Sequence, residues 1–191
     1  MSRLAHNQSN DQETRRRQSR ILRMLRISFL FVIGAFLAAE TNAQVDSALR
    51  FDGFGPVRVG MTLVEVNKVL HTSYTRPTDP DERACRYVEV PNRPGIGLMI
   101  LNGRVARVDV DDATTHTAEG LHKGDSEAHA LRVYGKRLKV TPSVYSGREG
   151  NFLTVHSTNG KYGLRFETYG GQIFRYYAGT AEAIEYIEGC Q

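Results

Sequence analysis

The chain has 191 residues, with 25 Lys and Arg against 21 Asp and Glu, and a formal net charge of +4. That length suits one domain or two small ones. Most of the basic excess lies at the start, so the whole-chain pI of about 9.2 says little about the folded part.

Arg15, Arg16, Arg17, Arg20, Arg23 and Arg26 lead into the 13-residue apolar run ISFLFVIGAFLAA (27–39). Thr41 and Ala43 then stand at the small-residue positions of a cleavage site. This is the pattern of a secretory signal peptide covering residues 1–43. The run is shorter than the roughly 20 apolar residues a bilayer span needs, so no stable membrane span is expected after cleavage. Met24 is an alternative first residue, because the charged region is long. No Cys follows the run, so a lipid-anchored N-terminus is not expected. The leader holds 7 of the 25 basic and 3 of the 21 acidic residues, leaving 18 of each. A net charge of zero argues against a nucleic-acid partner, which requires a phosphate-neutralising excess.

In GPVRVGMTLVEVNKVL (55–70), Thr62 and Glu65 form a capping box. Val66, Val69 and Leu70 follow at helical spacing. HTSYTRPTDPDERA (71–84) reads as a long loop and CRYVEV (85–90) as a strand. GLMILNGRVARVDV (97–110) has Asn102-Gly103 between two apolar runs, the strongest short-range hairpin signal. GLHKGDSEAHALRVYG (120–135) then repeats the first helix. Setting Gly60 on Gly124 aligns Thr62 with Ser126, Lys68 with Arg132 and Val69 with Val133. Asp125 or Ser126 can cap, Ala130, Val133 and Tyr134 form the apolar stripe, and Gly135 ends it. TPSVYSGREGN (141–151) occupies the loop position and NFLTVHS (151–157) the strand. GLRFETYGGQIFRYYA (163–178) is a second hairpin with a longer turn at Tyr169–Gly171. TAEAIEYIEGC (180–190) closes the chain as a short helix capped by Thr180.

The pattern predicts an α+β fold of two tandem helix-plus-antiparallel-meander repeats, with the helices packed on one face of the sheet. Residues 44–115 form the first repeat, and 116–191 the second with its short C-terminal helix. Alternation places Tyr162, Leu164, Phe166, Phe174, Tyr176 and Ala178 under the helices. In the first unit Ala106, Val108 and Val110 lie opposite Val105, Arg107 and Asp109. The second face carries Arg107, Arg165, Arg175 and Tyr177 and is expected either to lie in water or to serve as a contact surface. Tyr74 and Tyr145, with Arg76 and Arg148, are candidate anchors on the two matching loops.

Cys85 and Cys190 are the two cysteines, both in the exported part, and an even count there predicts a disulfide. VRVGMTLVEVNKVL resembles the G-M-T-x-x-x-V helix start of the small outer-membrane assembly lipoproteins of the SmpA/OmlA family. The tandem layout is similar to that of β-lactamase inhibitor protein. The resemblance implies an exported, non-catalytic binding protein whose sheet grips a partner; periplasmic or secreted placement and another exported or envelope protein as partner are expected with it. The lipid-attachment Cys of the assembly family is absent here.

Catalytic motifs are missing. His116, His122 and His129 are spaced by six and seven residues, which is no zinc pattern, and no metal or cofactor is expected. DVDDATTHTAEG (109–120) lacks the Gly and terminal Glu of an EF-hand loop. The competing expectation is a small periplasmic hydrolase with a carboxylate or His site, for which Asp109 and Glu167 are the candidate pair.

Overall fold

The computed structural model describes residues 47–190. The proposed leader, residues 44–46 and Gln191 lie outside these residues. The described chain is an α+β fold in which antiparallel strands dominate.

A small meander comes first: β1 (Leu49–Arg50), β2 (Gly53–Phe54) and β3 (Val57–Arg58). The sequence reading did not anticipate it, since strands of two residues leave almost no periodicity. Gly53 is required at its bend, because φ is +151° and an added Cβ would lie 2.1 Å from the Val57 carbonyl oxygen.

Helix α1 (Leu63–Leu70) starts at Thr62 with the expected box. The Glu65 amide donates to Thr62 Oγ1 at 3.3 Å, and the Thr62 amide donates to Glu65 Oε2 at 2.7 Å. Two reciprocal bonds satisfy donors that the first helical turn leaves orphaned. Helix α3 (Glu127–Tyr134) is capped by Ser126 rather than Asp125, and Gly135 ends it with a positive φ. Between them, the loop expected at 71–84 contains a short helix, α2 (Pro80–Ala84), with Asp79 as cap and Pro80 at the first turn. That arrangement suits a proline, whose missing N–H falls where no acceptor exists.

The main sheet has seven antiparallel strands in the order β4 (Cys85–Glu89), β5 (Ile96–Leu101), β6 (Arg104–Val110), β10 (Gln172–Thr180), β9 (Tyr162–Tyr169), β8 (Asn151–His156), β7 (Lys139–Pro142). The two hairpins predicted from sequence are β5–β6 and β9–β10. Asn102 and Gly103 both have positive φ, as a two-residue primed turn demands. The second turn is equally tight, through Gly170 and Gly171, rather than longer as expected. β7 occupies part of the segment expected to be a loop, pairing Val140 with Leu153.

Two geometric details recur in both halves. Gly60 donates to the Val105 carbonyl at 2.7 Å while Val105 donates to Met61. Gly124 donates to the Ile173 carbonyl at 2.8 Å while Ile173 donates to Asp125. Each hairpin's second strand then slips register at the same place, around Ala106 in β6 and Phe174 in β10. A bulge shifts the alternation by one residue. Ile173 and Val105 therefore enter the helix-side core, and Phe174 is 38 % exposed, the reverse of the simple alternation expected from sequence.

The main core joins Val66, Ala130 and Tyr134 of the helices to Leu98, Val108, Leu164, Phe166, Tyr176 and Ala178 of the sheet. The opposite face has a smaller cluster of Met99, Ala106 and Ala183, with Cys85 and Cys190 against it. Ala183 belongs to the chain's end, which lies across β6, β9 and β10. Only Ala183–Glu185 is helical there, as one 3₁₀ turn whose first amide is held by Thr180 Oγ1 at 3.0 Å. The predicted terminal helix is therefore shortened to that turn. It delivers Cys190 to Cys85, and the two are joined by a disulfide. Such a bond is the chemistry of an oxidising, extracytoplasmic compartment. Among the described residues no helix is long and apolar enough to cross a membrane.

Candidate functional site

The sheet face carrying the predicted arginine and tyrosine anchors is largely covered by the chain itself, while Asp109 and the 43 % exposed Arg175 side chain still line a pocket of about 380 Å³ beside the tail. Arg107 is 2 %, Arg165 6 % and Tyr177 1 % exposed. A face left in water, one of the two expectations, is thus corrected: residues 181–190 cover most of it, because the tail supplies acceptors for the guanidinium groups of Arg107, Arg165 and Arg175. Arg107 Nη1 donates to the carbonyls of Ala183 at 3.0 Å and Tyr186 at 2.6 Å. Its Nη2 lies 2.9 Å from Asp109 Oδ1, its Nε 3.2 Å from Oδ2, and its plane 4.1 Å above the Tyr177 ring. Arg165 donates to Thr154 Oγ1 at 2.9 Å and to Glu185 at 2.5 Å. Arg175 pairs with Glu167 at 2.8 Å and reaches the Ile187 carbonyl at 3.4 Å.

These contacts set the charge states. Burial raises the Asp109 carboxyl above its ordinary range, with Arg107 pulling the other way. Burial, then Asp109, pushes the Tyr87 hydroxyl up to about 12. Burial and the neighbouring Glu167 carboxylate raise Tyr177 further. Asp109 lies across from Tyr177 on β6, and Glu167 across from Arg175 on β9. With strands about 4.8 Å apart, β10 and its arginine stand between the two carboxylates. Arg107 pairs with Asp109 and Arg175 with Glu167, and Arg175 also acts on Asp109.

The three histidines of the 116–129 segment do gather. His129 Nδ1 is 3.1 Å and His122 Nε2 3.8 Å from Asp125, and the His116 and His122 rings meet edge-on at 5.0 Å. No group of metal-ligating geometry occurs among the described residues.

The loop anchors Tyr74 and Tyr145 do not share a surface. Tyr145 is exposed beside the tail, its hydroxyl on Glu188. Tyr74 instead lines a groove of about 670 Å³ between α1, α2 and the β5–β6 turn. The loop here is built from the helix outward. Asn67 of α1 accepts from the Tyr74 amide at 2.8 Å and donates to the Tyr74 carbonyl at 2.9 Å. The Tyr74 hydroxyl reaches the Glu89 carbonyl at the end of β4. Arg76, Arg83, Arg86 and Arg104 line this groove with a single carboxylate, Glu82. Sequence reading named only Tyr74 and Arg76 among these. The cap Asp79 followed by Pro80 was a legible helix start, and it is α2 that brings Arg83 to the groove.

No family model matches the chain, and no curated protein matches it. Among solved structures it is similar to an extracellular protein containing an SCP domain from Bacillus anthracis, at 7 % identity and a TM-score of 0.39. The match covers 70 % of this chain and 47 % of that one. The chain therefore spans about half the length of that protein, and a likeness this distant defines neither fold family nor activity.

Proposed function

We propose that the chain is an exported, non-catalytic protein-binding module, periplasmic or secreted, whose partner is another exported or envelope protein. It is built from two helix-plus-meander repeats related by duplication. The matching Gly60 and Gly124 bonds, the matching caps and the bulges at Ala106 and Phe174 support the repeat reading. The observation that carries the binding reading is the open groove of four arginines around one carboxylate, in a folded chain of zero net charge. The charged groups of the sheet face support it from the other side, since they neutralise one another beneath the tail. The SmpA/OmlA-like helix start and the inhibitor-like tandem layout noted above support a binding role.

The test is affinity capture of the mature chain from envelope extract, with chemical cross-linking and mass measurement, beside turnover assays on envelope polymers. A stoichiometric protein partner and no turnover is the expected result. Turnover that is lost in Asp109→Asn or Glu167→Gln, with no partner captured, would replace the binding reading by the hydrolase.

A further inference from the structure

We infer that the groove between α1, α2 and the β5–β6 turn docks an acidic segment of the partner protein carrying an aliphatic side chain. This inference rests on the binding-module reading and assigns it a surface and a chemistry.

Charge comes first. Arg76 and Arg83 are exposed, and neither side chain has a hydrogen-bond or ion-pair partner among the described residues. Arg86 and Arg104 each donate one Nη1 to a carbonyl, of Thr75 at 3.1 Å and of Gly60 at 2.8 Å. Those bonds aim the guanidinium groups and leave their other donors free, since each carries five N–H groups. Of the carboxylates nearby, Glu65 holds the Thr62 amide and hydroxyl and lies close enough to Arg104 to be stabilised by it, Asp79 holds the amides of Asp81 and Glu82, and Glu82 lines the groove itself. A ligand carboxylate thus meets the planar forks of Arg76 and Arg83, which no carboxylate engages, the geometry guanidinium offers for bidentate pairing.

The floor supplies the second term. Val64 is 77 % exposed on the solvent side of α1, and Leu63 and Ala84 add apolar surface along the groove lining. A ligand aliphatic group seated beside the arginines would cover Val64. The third term is preorganisation. Asn67 fixes the loop that carries Arg76, and the capping box fixes the start of α1, so little ordering is left for binding.

A polynucleotide fits less well. Residues 44–191 have no net positive charge to hold a phosphate backbone, and Tyr74 is the one aromatic side chain in the lining on which a base could stack. A membrane surface fails on the first of these grounds.

The experiment is fluorescence anisotropy on the mature chain with a short labelled peptide alternating Glu and Leu, and with its Gln-for-Glu counterpart. Wild type is compared with Arg76→Ala/Arg83→Ala and with Val64→Ser, whose folding is checked by circular dichroism. We expect the acidic peptide to bind, its Kd to rise about tenfold or more in the double variant, and the Gln peptide to bind no better than that. Val64→Ser should weaken binding without changing its salt dependence. Equal binding of the acidic peptide to wild type and double variant would overturn the assignment. So would binding of an oligonucleotide or of anionic phospholipid vesicles through these arginines while the peptide is ignored. If the envelope partner is captured equally by wild type and double variant, the groove assignment falls while the binding-module reading stands.

Discussion

Replacing Arg107 by Met probes how the closed face is held. The wild-type side chain makes two contacts to Asp109, two to tail carbonyls and one, at 2.7 Å, to the Tyr87 hydroxyl. Met keeps most of the volume, so the loss is electrostatic rather than a cavity. Removing one partner of a buried ion pair costs about 3–5 kcal/mol, because the other charge is left uncompensated. The Asp109 side chain retains 26 % exposure, which favours about 3 kcal/mol, the lower end of that range. The loss should depend on pH in a definite direction. Burial already raises the folded pKa of Asp109, and without Arg107 it rises further. A carboxyl raised in the folded state destabilises once the pH exceeds the unfolded value of about 3.9, the penalty growing until the folded group also ionises. Urea unfolding followed by circular dichroism should therefore show a large loss at about pH 7.5 and a smaller one at about pH 4.5. Arg107→Met/Asp109→Leu should recover much of it, since no charge is then stranded. A loss under about 1 kcal/mol at neutral pH, or one independent of pH, would refute the reasoning.

The Cys85–Cys190 bridge spans 105 residues of sequence, and its removal in Cys85→Ser/Cys190→Ser should cost about 4–5 kcal/mol in the chain-entropy account, read from the urea midpoint. Gly179→Ala should destabilise by about 1–3 kcal/mol or more, since its Cβ would sit 2.3 Å from the Ala106 carbonyl oxygen and 2.7 Å from Arg107 Cα, both on the backbone of β6. Thermal unfolding measures it, and an unchanged Tm would show that β6 and β10 can separate at no cost. The exported protein should begin at Gln44, which intact-mass measurement decides, and retention of residues 1–43 in a membrane fraction would rule the cleavage out.

Local signals were legible along the chain. The Thr62 box, the Ser126 cap, the Asn102-Gly103 turn and the strand segments each depend on residues within a few positions of one another, so sequence alone determined where α1, α3 and both hairpins lie. The cysteine pair was legible because only one pairing exists. Tertiary structure decided the rest. Two bulges, at Ala106 and Phe174, exchange which neighbour faces the helices, and nothing in period-2 alternation marks where a register will slip. Whether the arginine face is open depends on contacts 76 and 79 residues away in the chain, where Arg107 meets the carbonyls of Ala183 and Tyr186. The same holds for the groove, whose arginines come from a loop, a short helix, the edge strand β4 and the start of β6. Backbone carbonyls have no side-chain signature, so a sequence shows which residues can bind but not which of them the chain has already engaged.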